Sequence, residues 1–344
     1  MSGTVIKLAE VTVLAHERAG GSAEDVFLAD AQQYRRELLA HCYRMTGSVH
    51  DAEDLVQETY LRAWKSYQGF QGKSSVRTWL YRIATNTCLT ALEGRQRRPL
   101  PTGLGAPSSD PVDDIVARDE VPWLEPFPDD ATDPSTIVGS RESVRLAFVA
   151  ALQHLSPRQR AVLVLREVLQ WRAAEVAEAI GASTAAVNSL LQRARAQLDA
   201  VGPSEDDVLA PPDSPEAQDL LTRYIAAFES YDIDKLVELF TAEAVWEMPP
   251  FDGWYQGPRE IVLLSKTHCP ADGPGDMRFI RTTANGQPAA ALYMVNRDTG
   301  VHQPFQMHVL AVGADGITHV VAFHATTFEK WGLPASLQPA NDLG

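Results

Sequence analysis

Apolar residues recur at helical spacing through residues 31–98. DAEDLVQETYLRAWKSY (51–67) places acidic residues in its first turn and a buried stripe behind them. AQQYRRELLAHCYRMTGS (31–48) predicts a helix that stops at Gly47-Ser48, and VRTWLYRIATNTCLTALEGRQRR (76–98) predicts one that Pro99 stops. In the helix predicted over 51–67 the inner positions are Ala52, Leu55, Val56, Thr59 and Ala63. In the one predicted over 76–98 they are Leu80, Ile83, Ala84, Thr87 and Leu89 or Ala91. Residues 30–98 are therefore predicted to be all-helical.

A second helical block is predicted over residues 141–198. Ser156 is a helix cap followed by Pro157 at the first helical position. Further on, Gly181 separates two short helical patterns, as in a helix-turn-helix, and Ser183 can cap the second. The inward positions are Ala173, Val176, Ala177, Ile180, Val187, Leu190 or Leu191, Ala194 and Leu198, which leaves Thr184, Ala185, Asn188, Ser189, Gln192, Arg193 and Arg195 outside. A helical hairpin in a bundle is the alternative, but the polar, Arg-bearing outer face favours DNA.

From residue 216 the pattern changes to two helices followed by alternating apolar and polar runs. The runs AVWEMPP, DMRFIRTTANGQPAAALYMVN and FQMHVLAVGADGITHVVAFH predict antiparallel strands joined by turns at NG, ADG and DG. Helices followed by such strands predict an α+β domain. Residues 99–140 and 201–215 read as linkers rich in Pro and Asp. In the first linker Trp123, Leu124 and Phe127 predict docking on a surface, with a locally collapsed loop as the alternative.

Charge separates these segments. The 344 residues carry a formal charge of −15, but residues 30–98 and 141–198 are each +4, whereas 99–140 is −8 and 199–344 is −13. This asymmetry indicates a nucleic-acid-binding half and a second, acidic half. Three scattered cysteines predict neither a metal site nor a disulfide framework, and no metal or other cofactor is expected. The lack of a signal peptide pattern or a membrane span predicts a cytoplasmic protein without membrane contact.

Aromatic and basic side chains alternate in WLYRIATNTCLTALEGRQRR. Trp79 and Tyr81 stand among Arg77, Arg82 and the basic cluster at 95–98. Exposed bases of single-stranded DNA are held by aromatic stacking and by cations that follow the backbone. An aromatic residue on a helix can equally belong to the core, and for Trp79 both alternatives stay open.

Together these residues resemble a known family. HCYRMTGSVHDAEDLVQETYLRAWKSYQGF followed by GKSSVRTWLYRIATNTCL resembles region 2 of bacterial sigma factors, and HLSPRQRAVLVLREVLQWRAAEVAEAIGASTAAVNSLLQRARAQL resembles region 4. The short spacer is that of the extracytoplasmic-function (ECF, group 4) class. The motifs DxxKLVELFT…WEMPP and GWYQGPREI resemble a SnoaL-like cone-shaped domain, and the WLEP segment resembles the linker motif of a subgroup with that domain fused.

The resemblance implies a multidomain chain with two all-α sigma domains and a C-terminal α+β SnoaL-like domain. The implied segments are an N-terminal extension (1–29), sigma region 2 (30–98), an acidic linker (99–140), sigma region 4 (141–200), a second linker (201–215) and the SnoaL-like regulatory domain (216–335). The implied partners are core RNA polymerase, through the clamp helices of its largest subunit and its flap, and promoter DNA at the −10 and −35 elements.

The resemblance also assigns roles to individual residues. The residues matched to polymerase binding are Asp54, Leu55, Gln57 and Glu58; without the resemblance they would read as a solvated face. Those matched to the −10 element are Ser74, Ser75, Arg77, Thr78, Trp79, Arg82 and Asn86. Those matched to the −35 element are Ser183, Thr184, Asn188, Ser189, Gln192, Arg193 and Arg195.

Cone-shaped domains of this kind enclose a pocket, and some relatives are cyclases or isomerases that use a carboxylate or His as proton shuttle. The candidates for shuttle or lining are Trp246, Asp252, Trp254, Tyr255, Tyr293, Gln306, His308 and His324. Gln306 and His308 share one face of a strand. Catalysis, binding of a small molecule without turnover, and a purely structural regulatory role all stay open for this domain.

The main prediction is a sigma factor, without an active site of its own, whose acidic C-terminal domain controls promoter binding in cis. Tethering raises the effective concentration of that domain at the basic blocks, so weak contacts suffice. A DNA-binding repressor or activator that does not enter polymerase is one alternative. A cyclase- or isomerase-type enzyme, or a small-ligand sensor, fused to a DNA-binding module is the other.

Overall fold

The computed structural model describes residues 31–70, 72, 74–129, 142–201, 209–325 and 327–339. Its helices are α1 (Arg35–Thr46), α2 (Val49–Ser66), α3 (Val76–Ala91), α4 (Leu146–Leu152), α5 (Pro157–Leu163), α6 (Ala173–Ala179), α7 (Thr184–Val201), α8 (Pro215–Glu229) and α9 (Pro258–His268). Its strands are β1 (Phe240–Glu247), β2 (Trp254–Gln256), β3 (Met277–Ala284), β4 (Gln287–Val295), β5 (His302–Gly313) and β6 (Gly316–His324).

Several helices begin where a serine caps the first turn. The side chains of Ser48, Ser75, Ser156 and Ser214 each accept a hydrogen bond from the backbone N–H three residues on. At Ser156 the Gln159 side chain also accepts from the backbone N–H of Ser156, which completes a capping box. These local bonds fix the N-termini of α2, α3, α5 and α8.

The chain divides into two compact units. Of the described residues, the first unit comprises 31–70, 72, 74–95 and 155–196, and the second comprises 96–129, 142–154, 197–201, 209–325 and 327–339. In the first unit α1, α2 and α3 pack on one another, α5 packs on α1 and α3, and α6 packs on α3. Leu38, Tyr43 and Leu80 are fully buried in its core.

Four predicted helices are shorter than their apolar patterns suggested or are of another helical type. The helix predicted to run to residue 98 ends at Ala91, and Gly94 follows in a left-handed conformation with φ of 72°. In the block 141–155 only α4 is α-helical, and it belongs to the second unit. Beyond α5 the chain continues as a π-helix over Val164–Val168, and the second helix predicted before the strands is a 3₁₀ helix over Ile233–Glu238.

The second unit is built on one six-stranded sheet, with the order β2-β1-β6-β5-β4-β3. The prediction of antiparallel strands is confirmed for four of the five neighbouring pairs, whereas β6 pairs in parallel with β1. The meander β3–β6 places its last strand beside the first strand of the domain, so the sheet is mixed. Helix α8 packs on β3 and β4, and α9 packs on β1 and β2.

The apolar core of this unit joins α8, α9 and the sheet. Leu221, Leu236, Ile261, Leu310 and Val320 are almost fully buried there. No helix in the described residues is both long enough and apolar enough to cross a membrane.

Candidate functional site

The first unit carries a concave surface beside α3, which we name the α3 groove. It has a volume of about 490 Å³, and its lining residues are Arg62, Gly69, Phe70, Ser74, Trp79, Arg82, Ile83 and Asn86. Four of the residues predicted for the −10 element, Ser74, Trp79, Arg82 and Asn86, therefore share one surface.

An aromatic pair lies at this groove. The rings of Phe70 and Trp79 are 4.7 Å apart between centroids and tilted by 34°. Stacking on such rings, together with nearby cations, is the means by which proteins hold unstacked bases. Sequence reasoning missed Phe70 and Arg62. The only available signal for Phe70 was an aromatic residue in the polar loop QGFQGKSS.

The other three residues predicted for the −10 element lie outside the groove lining. Ser75 caps α3, because its Oγ accepts from the Thr78 N–H at 3.1 Å. The Arg77 guanidinium binds Glu37 of α1, with Nε 2.8 Å from Oε2, and this hydrogen bond raises the pKa of Arg77. The Tyr81 hydroxyl donates to the same carboxylate at 3.1 Å. Through its bonds to Glu37, Arg77 connects α3 to α1.

Two residues of the α3 groove also contact α6, the first helix of the helix-turn-helix. Arg82 Nη1 lies 2.8 Å from Glu178 Oε1, and Asn86 Nδ2 donates to the Ala179 carbonyl at 2.9 Å. Contact of these two side chains with DNA therefore requires exchange of the bonds that they make here.

The helix-turn-helix has the predicted turn. Gly181 adopts φ of 63°, and the Ser183 hydroxyl accepts from the Ala186 N–H at 3.1 Å. Val187, Leu191 and Ala194 bury the inner face of α7. The turn thus holds α7 with one apolar face inward and its polar face free to meet a duplex.

The exposed face of α7 carries the residues predicted for the −35 element. The exposed side chains are Ser183, Thr184, Asn188, Ser189, Gln192, Arg193 and Arg195. Arg195 Nη2 lies 2.6 Å from Glu167 Oε1, a pair in which both side chains are well exposed. Such a pair is weak and exchanges readily for a phosphate.

The residues predicted to bind polymerase lie on α2. Asp54 is exposed, Gln57 and Glu58 are half-buried, and Glu58 pairs with Arg62 at 2.7 Å. Leu55 is only 9% exposed and faces the core. Further along α2, Leu61 and Trp64 are 48% and 45% exposed, an apolar extension that sequence reasoning missed.

In the second unit the linker residues Trp123, Leu124 and Phe127 are buried, Phe127 completely. Asn285, at the β3–β4 turn with φ of 56°, exchanges two hydrogen bonds with the Phe127 backbone. Its Oδ1 accepts from the Phe127 N–H, and its own N–H donates to the Phe127 carbonyl, both at 2.8 Å. The Nδ2 group of Asn285 also donates to the Val144 carbonyl at 2.7 Å. One side chain therefore holds the linker and the segment before α4.

Two residues predicted to line the pocket bind the linker instead. Asp252 Oδ2 accepts from Arg118 Nε at 2.9 Å, and the Asp252 N–H donates to the Val116 carbonyl at 3.0 Å. The Trp254 indole donates to the Ala106 carbonyl at 3.0 Å. Loop and edge-strand positions meet the linker because they lie at the margin of the sheet.

A cavity of about 260 Å³ lies within the second unit, and Trp246, Gln306, His308 and His324 are among its lining residues. The remaining two candidates, Tyr255 and Tyr293, do not line it. Tyr255 is buried in the core, and Tyr293 follows Leu292 on β4 and so faces the opposite side, where its hydroxyl donates to the Pro334 carbonyl.

A polar chain crosses the cavity wall. The Tyr224 hydroxyl lies 2.8 Å from His308 Nδ1, His308 Nε2 lies 2.9 Å from Gln306 Oε1, and Gln306 Nε2 lies 2.7 Å from His324 Nε2. Burial lowers the pKa of His308 to about 3 and that of His324 to about 4, so both rings are neutral near pH 7. The described residues contain no cluster of three or more His, Cys, Asp or Glu arranged to hold a metal ion.

Comparison with known proteins agrees with this arrangement. The chain matches the profiles of Sigma-70 region 2 over residues 31–98, of Sigma-70 region 4 over 145–198 and of the SnoaL-like domain over 221–330. It is 69% identical over 344 residues to the ECF RNA polymerase sigma factor SigG of Mycobacterium tuberculosis, covering 98% of this chain and 92% of SigG.

A second relative extends the comparison to a solved structure. The ECF RNA polymerase sigma factor SigJ of Mycobacterium tuberculosis is 31% identical over 255 residues, covering 72% of this chain and 75% of SigJ. The crystal structure of SigJ shares the fold, with a TM-score of 0.60 and 23% identity over 90% of this chain and 99% of that one. The chain therefore belongs to the ECF RNA polymerase sigma factors, in a form that carries a C-terminal SnoaL-like domain.

Proposed function

We propose that the chain binds core RNA polymerase and directs it to promoters by two DNA contacts of the first unit. The α3 groove holds unstacked bases of the −10 element, and the exposed face of α7 reads the −35 duplex. The observation that carries this proposal is the convergence of Trp79 and Phe70 with Arg62 and Arg82 at one groove. Unstacking a base costs a few kcal/mol, which stacking and phosphate contacts offset.

Polymerase binding is proposed for the α2 surface. Asp54, Gln57 and Glu58 present acidic and amide groups that suit the clamp helices of the largest subunit, and Leu61 and Trp64 add exposed apolar area beside them. Region 4 is proposed to meet the flap. In this role the chain works in the cytoplasm, where core polymerase acts.

The second unit is proposed to control promoter binding in cis. Loop, turn and edge-strand residues at the margin of its sheet bind the linker, namely Asn285, Asp252 and Trp254, and the linker is the segment that connects the two Sigma-70 regions. The charge of −13 on residues 199–344 complements the +4 on each DNA-binding block. Holding the linker limits the relative positions that the −10 and −35 contacts can reach, and the acidic unit disfavours DNA nearby.

The cavity is proposed to take a small molecule without turning it over. Among the described residues that line it there is no Asp, Glu, Lys or Arg, and both ring nitrogens of His308 lie within hydrogen-bonding distance of Tyr224 and Gln306. A proton shuttle needs a group that can change its protonation state near neutral pH. The neutral, fully engaged His308 does not meet that need, so the chain is proposed to have no active site of its own.

Run-off transcription tests the main proposal. Core polymerase stripped of its resident sigma factor is mixed with the full-length chain on genomic fragments, and the 5′ ends of transcripts are mapped. Discrete start sites that require the chain are expected. Random initiation, or tight duplex binding by the chain without any association with polymerase, would overturn the proposal and favour a repressor or activator.

A further inference from the structure

One carboxylate joins α1 to two successive turns of α3. Glu37 Oε2 accepts from Arg77 Nη2 at 2.5 Å and from Arg77 Nε at 2.8 Å, and it accepts from the Tyr81 hydroxyl at 3.1 Å. Burial raises the pKa of Tyr81, so its hydroxyl keeps the proton that it donates. Glu37 therefore combines a charge-assisted pair, the stronger class of hydrogen bond, with a neutral donor one turn further along α3.

A second polar contact follows along the same two helices. His41 Nε2 lies 3.0 Å from Thr85 Oγ1, and the His41 ring stands edge-on to the ring of Tyr81, with 5.2 Å between the centroids. From Glu37 to His41 and from Tyr81 to Thr85 the contacts advance by one turn on each helix, so α1 and α3 run parallel in one defined register. Apolar packing alone admits several registers, whereas paired polar groups admit only the one that satisfies them.

The two faces of α3 carry different chemistry. Arg77 and Tyr81 face α1, whereas Trp79 and Arg82 line the α3 groove. Positions two residues apart on an α-helix are separated by about 200° around its axis, so Arg77 and Trp79 lie on opposite sides. A rotation of α3 that broke the Glu37 contact would turn Trp79 away from Phe70, whose ring lies 4.7 Å from its own. The contact on one face therefore fixes the direction of the other.

The environment of Glu37 holds Arg77 in place. The Glu37 side chain is only 12% exposed, and the Arg77 guanidinium also lies 5.2 Å from the centroid of the Tyr81 ring. If Arg77 left for a phosphate, it would leave behind a largely buried carboxylate without a counter-charge, which is costly. Arg82 differs, because its partner Glu178 is 69% exposed and is hydrated when the pair opens.

We propose that Glu37 is a positioning residue for recognition of the −10 element. By holding Arg77 and Tyr81 it fixes the rotation of α3 about its axis, and with it the direction in which Trp79 and Arg82 meet unpaired bases. Arg77 acts through Glu37 and not by contact with DNA. This inference rests on the −10 role proposed above for the α3 groove and adds to it two residues outside the groove.

Discrimination between −10 strands tests the inference. Holoenzyme assembled from core polymerase and the full-length chain is bound to single-stranded oligonucleotides that carry the −10 sequence found by start-site mapping, or one changed base. The ratio of the two affinities measures discrimination. Glu37→Ala is expected to lower this ratio by about tenfold, because misdirected side chains no longer meet a flipped base in one geometry. Unfolded chains bind neither strand, so a loss of stability alone leaves the ratio unchanged.

Arg77→Lys separates positioning from direct contact with DNA. Lysine keeps the charge that a phosphate needs but lacks the planar fork that binds Glu37, so discrimination is expected to fall as in Arg77→Ala. Adding Glu37→Ala to Arg77→Ala is expected to lower the ratio no further, because both substitutions remove the same contact. The matched control is Asp51→Asn, which removes a carboxylate 3.0 Å from Arg95 in the same unit and leaves the ratio unchanged.

The outcomes distinguish this inference from the proposed function. An unchanged ratio in Glu37→Ala, or full discrimination by Arg77→Lys, would overturn the positioning role; if Glu37→Ala does not fold by circular dichroism, Arg77→Lys decides. Additive losses, with the salt slope of binding lowered by about 0.7 in Arg77→Ala, would make Arg77 a phosphate contact. Each of these results leaves the −10 role of the α3 groove intact. If the unsubstituted chain did not discriminate, that role and the inference would both be lost.

Discussion

The two units present their chemistry in opposite ways. In the first unit the DNA-directed groups are exposed or half-buried, and several are engaged by acids, as in the pairs Arg82–Glu178 and Arg195–Glu167. In the second unit the distinctive groups are neutral and enclosed, and they form a chain of hydrogen bonds. Exposed ion pairs exchange easily for phosphates, whereas an enclosed neutral chain selects an occupant by shape and hydrogen bonding.

Two histidines make this contrast sharper. Burial lowers the pKa of both His41 and His308 to about 3. His41 has Nε2 3.0 Å from Thr85 Oγ1 within packed helices, whereas His308 lines a cavity. A strongly shifted pKa alone therefore does not mark a site. What distinguishes His308 from His41 is the cavity that it lines.

The largest expected effect comes from removing the linker anchor of the second unit. Phe127→Ala deletes a fully buried ring and is expected to destabilise linker docking by about 3–5 kcal/mol. Release of the linker is measured by limited proteolysis within residues 99–129 and by promoter binding. Leu104→Ala, an exposed position in the same linker, is the control. Equal protease sensitivity of the two variants would contradict the anchoring role.

Acid tests whether the two buried histidines affect stability alike. Below pH 6.5 His41 and His308 bind a proton in the unfolded chain but stay neutral in the folded one. The free energy of unfolding therefore falls with falling pH until about pH 3. The expected loss at pH 5 is about 2 kcal/mol for each histidine. Urea unfolding at pH 7.5 and 5.0, followed by hydrogen exchange in each unit, measures it.

The variants His41→Gln and His308→Gln separate the two contributions. Each is expected to flatten the pH dependence of its own unit and leave that of the other unchanged. A pH dependence that persists in both variants would assign the effect to other groups, such as His324, whose pKa burial also lowers.

Trp79→Ala tests the aromatic side of the α3 groove. Loss of one stacked base is expected to weaken open-complex formation by about 1–3 kcal/mol while polymerase binding is retained. Permanganate reactivity of unpaired thymines measures opening. Trp331→Ala, in the second unit, is the matched control. If the Trp79→Ala variant opened promoter DNA normally, the proposed stacking of a base on Trp79 would be contradicted.

Arg193→Ala tests the face of α7. Arg193 is exposed, and none of the described residues forms an ion pair with it. If it holds a phosphate, its removal lowers the salt dependence of −35 binding by about one unit of slope. The matched control is Arg223→Ala, an exposed arginine of the second unit. An unchanged slope with altered base preference would instead make Arg193 a base-reading residue.

The smallest effect is expected at the contact between α3 and α6. Glu178→Ala frees Arg82 from a half-exposed ion pair, which is worth about 0–1 kcal/mol, so −10 DNA binding rises by up to about fivefold. Single-stranded DNA binding measured by fluorescence anisotropy is suitable, with Asp219→Ala, which breaks an exposed pair on α8, as control. Weaker binding by Glu178→Ala would show that the contact positions Arg82.

Sequence reasoning succeeded where neighbours along the chain decide the structure. The turn at Gly181, the caps at Ser156 and Ser183, and the apolar stripe of α7 all depend on residues within a few positions of one another. The prediction of which residues line the pocket is only partly correct. Trp246, Gln306, His308 and His324 line the cavity, but Asp252 and Trp254 bind the linker, a partner more than a hundred positions away in sequence.

The sequence by itself determined where several helices start, which of their faces are apolar, the alternation of the C-terminal strands and the family of the chain. Only the tertiary structure decided that β6 runs parallel to β1, that Arg77 is bound to Glu37, and that Ile115 of the linker lines a cavity beside His308. The reason is physical. Periodicity and capping are set by contacts within one or two turns, whereas these three features require long loops to close and leave no local pattern.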